Sequence, residues 1–459
     1  MSVTTTLSPK NESVARTFWR YAVPSVAAMI VSGLYQVIDG FFVGHYVGVD
    51  GLAGINMAWP VLGVIMGFGI LVGMGAGSVI SIYRGEQNQQ GVGLTLSTSL
   101  WLMLGFGILS SVFLYFGTDT VMAIQNASGM PLLHAKDYLN VFVFGSALTV
   151  GAGALPLLVR NDNSPNWATA LTVLGAVANI VLDYLLIGVL GLGLEGAAVA
   201  TVISQALVVV GALCYFLSRQ AECRIRHMQF SLVNAKHTIE LGSSTLFMFL
   251  YFSFVLAVHN FLLMSYGSAV YVGAYAILGY VGTMYYLFAE GLANGMQPPV
   301  SYYYGARRFK AIKSTVKIAL GSIIGIGVAA VVLLNIAPEQ IIALFGKGNS
   351  ELIEVASHGA RLHLFAMFLD GLFFAASVFF ISIDKGGKAL FVSVGNMLVQ
   401  LPFLYLLPKI WGVDGVWLAM PISNLVLALV VVPMLLSELN KLGRREDNSP
   451  NAALAAKAN

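Results

Sequence analysis

A unit of about 220 residues occurs twice in this chain, and this repeat limits the possible folds more than any other feature. Gly193-Leu194-Glu195-Gly196 recurs as Gly412-Val413-Asp414-Gly415, a shift of 219 residues from 193 to 412. Ser81-Ile82-Tyr83-Arg84-Gly85-Glu86 is echoed by Tyr302-Tyr303-Tyr304-Gly305-Ala306-Arg307, a shift of 220 residues from Gly85 to Gly305. This period is too long for a solenoid. Internal repeats in a hydrophobic chain are typical of secondary transporters, which place the substrate path between the repeats.

The composition places the chain in a lipid bilayer. Hydrophobic residues make up 58% of the sequence and charged residues only 10%, with a mean hydropathy of +0.81. A soluble domain carries about 25% charged residues. The polar residues 1–16 contain no signal-peptide core, and the apolar run near 18–43 is long enough to be a retained first span. The two cysteines, Cys214 and Cys223, are too few and too far apart for a disulfide framework or a zinc site.

Apolar runs long enough to span a bilayer predict twelve transmembrane helices, six in each half. An unpaired backbone group is too costly in hydrocarbon for any open sheet, so the spans must be helical. The predicted fold is an all-α integral membrane protein with two pseudo-symmetric six-helix lobes. The spans lie near 18–43, 53–83, 94–116, 138–159, 167–190, 196–217, 241–265, 271–303, 316–336, 362–383, 389–408 and 415–436.

The distribution of positive charge predicts that both termini are cytoplasmic. With that orientation 20 of the 24 Lys and Arg residues fall on the cytoplasmic side, and only Lys136, Lys347, Arg361 and Lys409 fall on the other. An even number of spans per repeat relates the lobes by an axis along the membrane normal. The predicted segments are a cytoplasmic N-terminal segment 1–16, an N-lobe 17–218, a cytoplasmic linker 219–237, a C-lobe 238–438 and a cytoplasmic tail 439–459.

Ionisable side chains deep in spans are expensive, so each is a functional hypothesis. Asp39 in span 1 follows Tyr35 by four residues, which puts both on one helix face. Asp183 in span 5 follows Asn179 by four residues, and Thr201 in span 6 could complete this polar cluster. Burial and a neighbouring carboxylate both disfavour the charged form, so such a pair can hold a proton near neutral pH. The alternative is a hydrogen bond between helices that only fixes their packing.

Two features of the first two spans concern helix geometry. Pro24 precedes Asp39 in span 1 and removes a backbone hydrogen bond, so it predicts either a simple kink or a hinge that responds to protonation of Asp39. Span 2 carries glycines at 63, 67, 69, 73, 75 and 77. This small-residue spacing predicts close helix packing rather than a nucleotide loop, because no strand precedes it and no GK[ST] follows.

The second half offers an acidic and aromatic surface that would suit an organic cation. The deep charges of the chain are acidic, with no Lys or Arg among them, so a cavity lined by them attracts cations. Packing within the bundle or contact with lipid is the alternative for the aromatic residues. The candidates for a substrate cavity are Tyr35, Phe247, Tyr251, Met284, Glu290, Met367, Asp370 and Phe374. His259 corresponds to Asp39 in the repeat and is either a relic of duplication or a working group.

At this point the chain resembles the multidrug and toxic compound extrusion (MATE) family over nearly all of residues 15–438. The resemblance rests on motifs whose order across twelve spans is specific, although each is weak alone. It is nearer to the prokaryotic MepA- and DinF-like branch than to the NorM-like branch. The motifs are Asp39-Gly40-Phe41-Phe42-Val43-Gly44, Gly73-Met74-Gly75-Ala76-Gly77, Arg160-Asn161-Asp162, Asn179-Ile180-Val181-Leu182-Asp183-Tyr184 and the stretch from Gln297-Pro298 through Tyr304-Gly305-Ala306.

The resemblance implies a V-shaped pair of six-helix lobes that exports organic cations against inward proton or sodium flow. By the same resemblance the N-lobe ion site falls on Asp39, Asn179, Asp183 and Thr201, and the bending proline on Pro24. A C-lobe sodium site in one branch uses a span-7 glutamate and a span-10 aspartate. Asp370 resembles the aspartate, whereas Phe252 stands where the glutamate is expected, which favours proton coupling through the N-lobe.

The sequence thus predicts an antiporter of amphipathic organic cations in a bacterial-type inner membrane. The coupling ion is H⁺, with Na⁺ bound at Asp39 and Asp183 as the alternative. We expect a monomer that contacts lipid, with no cofactor, no other metal and no nucleic-acid partner. One rival is a flippase for lipid-linked sugars, whose anionic cargo calls for basic residues deep in the spans. A membrane-embedded enzyme is disfavoured because the sequence contains no HExxH and no GxSxG motif. A passive channel would leave the buried carboxylates unexplained.

Overall fold

The protein is built from helices. The structure is a computed structural model that describes residues 12–125, 128–343 and 350–447, and these contain no β-strand. The terminal residues 1–11 and 448–459, which belong to the predicted cytoplasmic end segments, lie outside the described residues. The helices are α1 Val14–Tyr46, α2 Val49–Gly85, α3 Gln89–Ile124, α4 Gly129–Asn161, α5 Pro165–Asp183 with a π-helical turn Tyr184–Val189, α6 Gly193–Leu217, α7 Leu232–Tyr266, α8 Ala269–Gly305, α9 Phe309–Ile336, α10 Pro338–Ile342, α11 Ser350–His363, α12 Met367–Ser382, α13 Gly386–Trp411 and α14 Val413–Asp447.

The length and apolar character of these helices confirm the predicted transmembrane fold. Within the described residues, eleven helices are long and apolar enough to cross a bilayer, counting α5 with its π-helical turn as one. Helices α11 and α12 pass the same test only together and are bent by 49° relative to each other, so the count is twelve if they form one broken span. The tenth predicted span, near 362–383, is therefore not one straight helix but begins at this break.

The helices pack into two compact units. Of the described residues, the first contains those of Ala27–Phe249, and the second contains those up to Val26 together with those from Leu250 onward. Packing thus assigns the start of α1 to the second unit and the start of α7 to the first. The lobe boundaries predicted from the sequence follow chain order and stay a prediction.

The glycines of α2 serve two helix neighbours inside the first unit. Gly69 and Gly73 lie against the backbone of α4, where a β-carbon would meet residues Val150 and Ala154. Gly75 lies against the start of α7, where a β-carbon would collide with the Thr238 carbonyl oxygen. Side chains at these positions would force the helices apart, so the predicted packing role is confirmed for Gly69, Gly73 and Gly75. It is wrong for Gly63, where a β-carbon would meet nothing within 4 Å.

The two halves share backbone conformation at matching positions as well as sequence motifs. Among the described residues, four non-glycine residues have a positive φ, and each lies two residues beyond the end of a helix: Gln87 (61°), Asn163 (64°), Arg307 (55°) and Asp384 (60°). Gln87 and Arg307 are 220 positions apart, and Asn163 and Asp384 are 221 positions apart. The two halves therefore share corner conformations that L-residues rarely adopt.

The segment predicted as the linker is bonded to the first unit. The backbone N–H groups of Glu222 and Cys223 donate to the two carboxyl oxygens of Asp162 at 2.9 and 2.8 Å. Asp162 follows the end of α4 and is almost fully buried. Burial raises the pKa of its carboxyl group to about 6, even though the Cys223 hydrogen bond and the nearby Arg84 act in the opposite direction.

Candidate functional site

The first unit brings together the four polar residues that the sequence proposed as an ion site. Asp39 comes from α1, Asn179 and Asp183 from the end of α5, and Thr201 from α6. Asp183 is fully buried, Asn179 is buried, and Asp39 and Thr201 are half-buried. The i, i+4 spacing places Asn179 and Asp183 on one face of α5, as the sequence predicted.

Three of the four carboxyl oxygens in this cluster are buried without a hydrogen-bond partner. Neither Asp183 carboxyl oxygen has a hydrogen-bond partner, and the buried Oδ1 of Asp39 has none. The carboxyl groups of Asp39 and Asp183 lie close enough to share a hydrogen bond, but two carboxylates have no proton to donate. A buried, unpartnered polar atom costs about 1–3 kcal/mol, and more if it is charged, so this pair requires a donor or a cation.

The side-chain amide of Asn179, beside Asp39 and Asp183, makes one long hydrogen bond. The Nδ2 of Asn179 donates to the Thr201 hydroxyl over 3.4 Å, and that hydroxyl donates to the Ala197 carbonyl at 3.0 Å. The Oδ1 of Asn179 is buried without a partner. The cluster therefore offers three kinds of oxygen ligand, from carboxylate, amide and hydroxyl groups, and a surplus of acceptors over donors.

Two tyrosines complete the surroundings of Asp39 and Asp183, which we call the acid pair. Tyr35 lies within electrostatic range of both Asp39 and Asp183, as its position one turn before Asp39 predicted. Tyr138 of α4 is buried, with its hydroxyl beside Thr201 and within range of both carboxyl groups. Sequence reasoning did not identify Tyr138, because no spacing in α4 relates it to residues on α1, α5 and α6.

A π-helical turn follows the acid pair directly. Helix α5 ends at Asp183, and Tyr184–Val189 form the π-helical turn. The Leu190 N–H then bonds to the Leu185 carbonyl five residues back at 2.9 Å. Such turns are rare and are frequent at functional sites, where the extra residue rotates the following side chains. The apolar residues here predict an ordinary α-helix, so the sequence did not indicate a π-helical turn.

Pro24, the predicted hinge residue, lies inside α1. The helix is continuous from Val14 to Tyr46, and Pro24 is half-buried near the point where packing changes from one unit to the other. Its role as a hinge stays a prediction.

In the second unit, the Asp370 carboxyl group has hydrogen-bond donors, which the acid pair lacks. Its Oδ1 accepts a hydrogen bond from Asn424 Nδ2 at 2.8 Å, and its Oδ2 accepts one from the Tyr286 hydroxyl at 3.2 Å. It also lies in the first turn of α12, directly after the break that follows α11, where the helix dipole favours negative charge. Its carboxylate is thus stabilised by two neutral donors and a helix N-terminus.

The residue that corresponds to Asp39 in the repeat has become part of an aromatic cluster. His259 is fully buried and stacks on Tyr275, with 5.1 Å between ring centroids. Its Nδ1 lies 2.9 Å from the Val255 carbonyl oxygen. His363 packs edge-on against the same tyrosine and bonds through Nδ1 to the Trp417 carbonyl oxygen at 3.0 Å. These contacts describe a packed core rather than an acid site.

The remaining cavity candidates do not form one group. Tyr251 accepts a hydrogen bond from Gln400 and lies within electrostatic range of Asp370, and Met367 is buried one turn before Asp370. Glu290 and Phe374 are half-buried, and Glu290 accepts a 3.5 Å hydrogen bond from Asn294. Met284 is exposed, and Phe247 packs in the first unit rather than with Tyr251.

Across the residues that the structure describes, no group of three or more His, Cys, Asp or Glu side chains is placed to hold a metal ion. The acid pair with Asn179, Thr201 and the tyrosines is an all-oxygen cluster. Oxygen ligands suit protons and hard cations rather than transition metals.

Comparison with known proteins adds a family match in both halves. The MatE family model matches residues 24–185 and again residues 245–406, a shift of 221 residues from 24 to 245. "Multidrug export protein MepA" of Staphylococcus haemolyticus is 23% identical over 436 residues, which cover 94% of this chain and 96% of that protein. A crystal structure of "MATE in complex with MaL6" superposes with a TM-score of 0.89 at 22% identity, covering 96% of this chain and 100% of that one. Another, of "MATE in the bent conformation", has a TM-score of 0.88 at 22% identity, covering 97% and 99% of the two chains.

Proposed function

Because the chain belongs to the MatE family, we propose that it is a secondary active exporter of amphipathic organic cations driven by inward protons. The observation that carries the proposal is the pair of adjacent carboxyl groups of Asp39 and Asp183, in which both Asp183 oxygens and the buried Oδ1 of Asp39 have no hydrogen-bond partner. The relative named for multidrug export supports the choice of cargo. Na⁺ is the alternative coupling ion, because the same oxygens could surround it.

A single proton would give this pair a hydrogen-bond donor and remove one of its two negative charges. One carboxyl group that takes up a proton becomes a donor to its neighbour, and the repulsion between two negative charges disappears. Asp39 lies on α1 and Asp183 at the end of α5, so the new hydrogen bond would pull these helices together. In the proposed cycle this movement displaces the bound cation, and the loss of the proton to the cytoplasm restores the empty acid pair.

The drug and the proton would compete for the same negative charge. Tyr35 and Tyr138 stand beside the pair and offer aromatic faces that attract organic cations. In the second unit Asp370 and Tyr251 provide a further acidic and aromatic surface for cargo. Competition of this kind makes exchange obligatory, since the acid pair cannot be satisfied by both ligands at once.

The driving force sets a limit on the stoichiometry. Each proton that moves inward supplies about 2.3 kcal/mol per 100 mV of membrane potential. One proton could therefore support at most a roughly fifty-fold gradient of a neutral drug, because about 1.4 kcal/mol corresponds to tenfold. A monovalent cation exchanged for one proton moves no net charge and gains only from the pH difference. Export of cations against a potential thus requires a pH gradient or more than one proton.

For localisation we propose a bacterial-type inner membrane with both termini in the cytoplasm. The support is the 20 to 4 division of Lys and Arg between the two sides of the predicted spans. A flippase for lipid-linked sugars is disfavoured because the deep charges are acidic, and they would repel an anionic pyrophosphate cargo.

The test is dye efflux from inside-out vesicles under an imposed pH gradient, with and without sodium. The variants are Asp39→Asn and Asp183→Asn, and the control is Asp50→Asn, which removes an exposed carboxylate of the same unit. We expect ethidium transport that follows the pH gradient, ignores sodium and disappears in both acid-pair variants but not in the control.

Each other outcome has a definite meaning. Transport that requires sodium means that the same carboxylates bind a metal ion. If both variants export as well as the wild type, the acid pair does not couple transport, and Asp370 and Glu290 become the residues to test.

A further inference from the structure

A strongly basic surface lies where α8 turns into α9. Arg307, Arg308, Lys310, Lys313 and Lys317 occur within eleven positions, and no acidic residue occurs between Glu290 and Glu339. We call these five residues the basic corner. It is remote in sequence from the acid pair and plays no part in the proposed transport cycle.

The helix geometry aligns this positive charge. Helix α9 begins at Phe309, and the i, i+3, i+7 spacing puts Lys310, Lys313 and Lys317 on one face over about 10 Å of axis. All three lysines are exposed, and so is Arg307. The Arg308 guanidinium lies over the Tyr303 ring at 5.1 Å, which holds this side chain at the start of the helix. The result is a preformed row of cations.

The charges of Lys313 and Lys317 do not stabilise the start of α9. Cations in a first helical turn meet the positive end of the helix dipole, and like charges three and four positions apart repel. In the described part of the chain no carboxylate pairs with Lys313 or Lys317.

The corresponding corner of the first half is neutral although its backbone is the same. Gln87 matches Arg307 in φ (61° and 55°), and α3 begins at Gln89 as α9 begins at Phe309. The N–H groups of Asn88 and Arg308 bond to the carbonyls of Tyr83 and Tyr303, both at 2.8 Å. The counterparts of the five basic residues, 220 positions earlier, are Gln87, Asn88, Gln90, Gly93 and Ser97.

The neutral corner is also covered by the protein itself. The Ser97 hydroxyl bonds to the Gln229 carbonyl, and the Thr98 hydroxyl accepts from the Ser231 N–H at 3.1 Å, so the linker lies across this face of α3. At the basic corner the counterpart of Ser97 is Lys317, which is exposed. The first-half corner has the same backbone without basic residues, so this backbone conformation does not require the positive charge. The linker covers Ser97 in the first half, whereas its counterpart Lys317 is an exposed cation.

We propose that the basic corner binds the headgroups of anionic phospholipids in the adjoining leaflet. A row of Lys and Arg at the end of a membrane span is the arrangement that attracts anionic lipids. The arginines offer planar forks for phosphate oxygens, and the lysines offer mobile point charges along the helix. An anionic headgroup here removes the repulsion among the cations and therefore holds the start of α9.

The experiment measures lipid binding to the full-length protein by native mass spectrometry, with titrated dioleoylphosphatidylglycerol, tetraoleoyl cardiolipin or dioleoylphosphatidylcholine. The variant K310Q/K313Q/K317Q introduces neutral side chains like those of the first-half corner. The control R219Q/R224Q/R226Q removes the same charge from the linker. A second variant, K310R/K313R/K317R, keeps the charge and reports on folding.

We expect the glutamine variant to bind both anionic lipids at least about tenfold more weakly than the wild type. The linker control and the arginine variant should keep wild-type binding, phosphatidylcholine should bind weakly to all proteins, and equimolar inorganic phosphate should not compete. Equal anionic-lipid binding by the glutamine variant and the wild type would overturn the proposal. An equal loss in the linker control, or full competition by inorganic phosphate, would do so too.

Discussion

The buried acids of the two halves differ in their hydrogen-bond partners. In the first unit, both oxygens of Asp183 and one of Asp39 have none. In the second unit, Asp370 accepts hydrogen bonds from Asn424 and Tyr286. Two neutral donors offset part of the cost of burying the Asp370 carboxylate, whereas two adjacent carboxylates without donors also repel each other. Under the proposed function, the first unit rather than the second takes up and releases the proton.

The repeat shows how the difference arose. Asp39 corresponds to His259, 220 positions later, and Asp183 corresponds to Leu404, 221 positions later. Asn179 corresponds to Gln400, which donates to Tyr251 instead of facing an acid. The second half therefore keeps an amide at the matching position but replaces the acid pair with a packed histidine and a leucine.

The largest effect is expected when the first half is made to resemble the second. Asp183→Leu copies Leu404 and removes one member of the acid pair, so a proton taken up by Asp39 finds no acceptor. We expect pH-driven dye transport in vesicles to fall by about tenfold or more, the loss expected of an interaction that is essential in the cycle. The control is Leu404→Ile, a conservative change at the matching position of the second half, which should transport like the wild type. Coupled transport that survives in Asp183→Leu would remove the basis of the comparison.

A smaller effect is expected for Thr201→Val, which keeps the shape of the side chain and removes its hydroxyl. Asn179 then loses its partner, and its amide is free to turn toward the acid pair. We expect about a threefold to tenfold loss of transport rate, consistent with about 1 kcal/mol for one hydrogen bond. Initial rates at several proton gradients measure the change. Thr201→Ser restores the hydroxyl and should restore the rate, and a Val variant as active as the wild type would exclude Thr201 from the site.

Asp370→Asn should affect stability more than coupling. Asparagine presents an NH₂ group to one of the two donors, so one hydrogen bond is lost and about 1–3 kcal/mol of stability with it. We expect a lower melting temperature in detergent and a weaker affinity for cationic cargo, but transport at saturating cargo that still follows the pH gradient, since the acid pair is intact. A variant that melts normally and yet loses pH coupling would place a coupling group in the second half.

The smallest effect concerns the linker and depends on pH. Burial raises the pKa of Asp162 from its ordinary value of 3.8 to about 6, so the folded protein binds this proton more tightly than the unfolded chain does. Its stabilising contribution is therefore full below about pH 4 and is lost as the pH rises through about 6.

Hydrogen exchange of residues 218–231 reads out this dependence directly. We expect protection of the linker to fall between pH 5 and 7 in the wild type, after correction for intrinsic exchange rates. Asp162→Asn should weaken protection at every pH and abolish this dependence, because its amide does not titrate. An unchanged pH profile in the variant would mean that another group controls the linker.

Much of the ion site could be predicted from the sequence, and the reason is local. Asn179 and Asp183 are one helical turn apart, as are Tyr35 and Asp39, and a helix brings such pairs onto one face whatever surrounds it. The structure does bring Asp39, Asp183, Asn179 and Thr201 together. Eleven spanning helices of the described residues follow equally directly from the length of the apolar runs, whereas the break between α11 and α12 does not.

Features that depend on contacts between distant segments could not be predicted. Tyr138 reaches Thr201 from another helix, and Asn424 reaches Asp370 across 54 positions. The π-helical turn after Asp183 depends on backbone bonding that apolar residues do not specify. The start of α1 groups with the second unit, where Val26 lies against Gly291, and the start of α7 groups with the first, where Thr238 lies against Gly75.

The strained corners shared by the two halves also bear on the history of the chain. Gln87 and Arg307 have the same unfavourable φ, as do Asn163 and Asp384, although none of the four is glycine and their side chains differ. A conformation that costs about 1 kcal/mol or more for an L-residue is not expected to arise twice by chance at matching positions. The corners therefore predate the gene duplication, and selection afterwards acted on side chains while the inherited backbone stayed fixed. Such a protein can gain new specificity in one copy without redesigning the other.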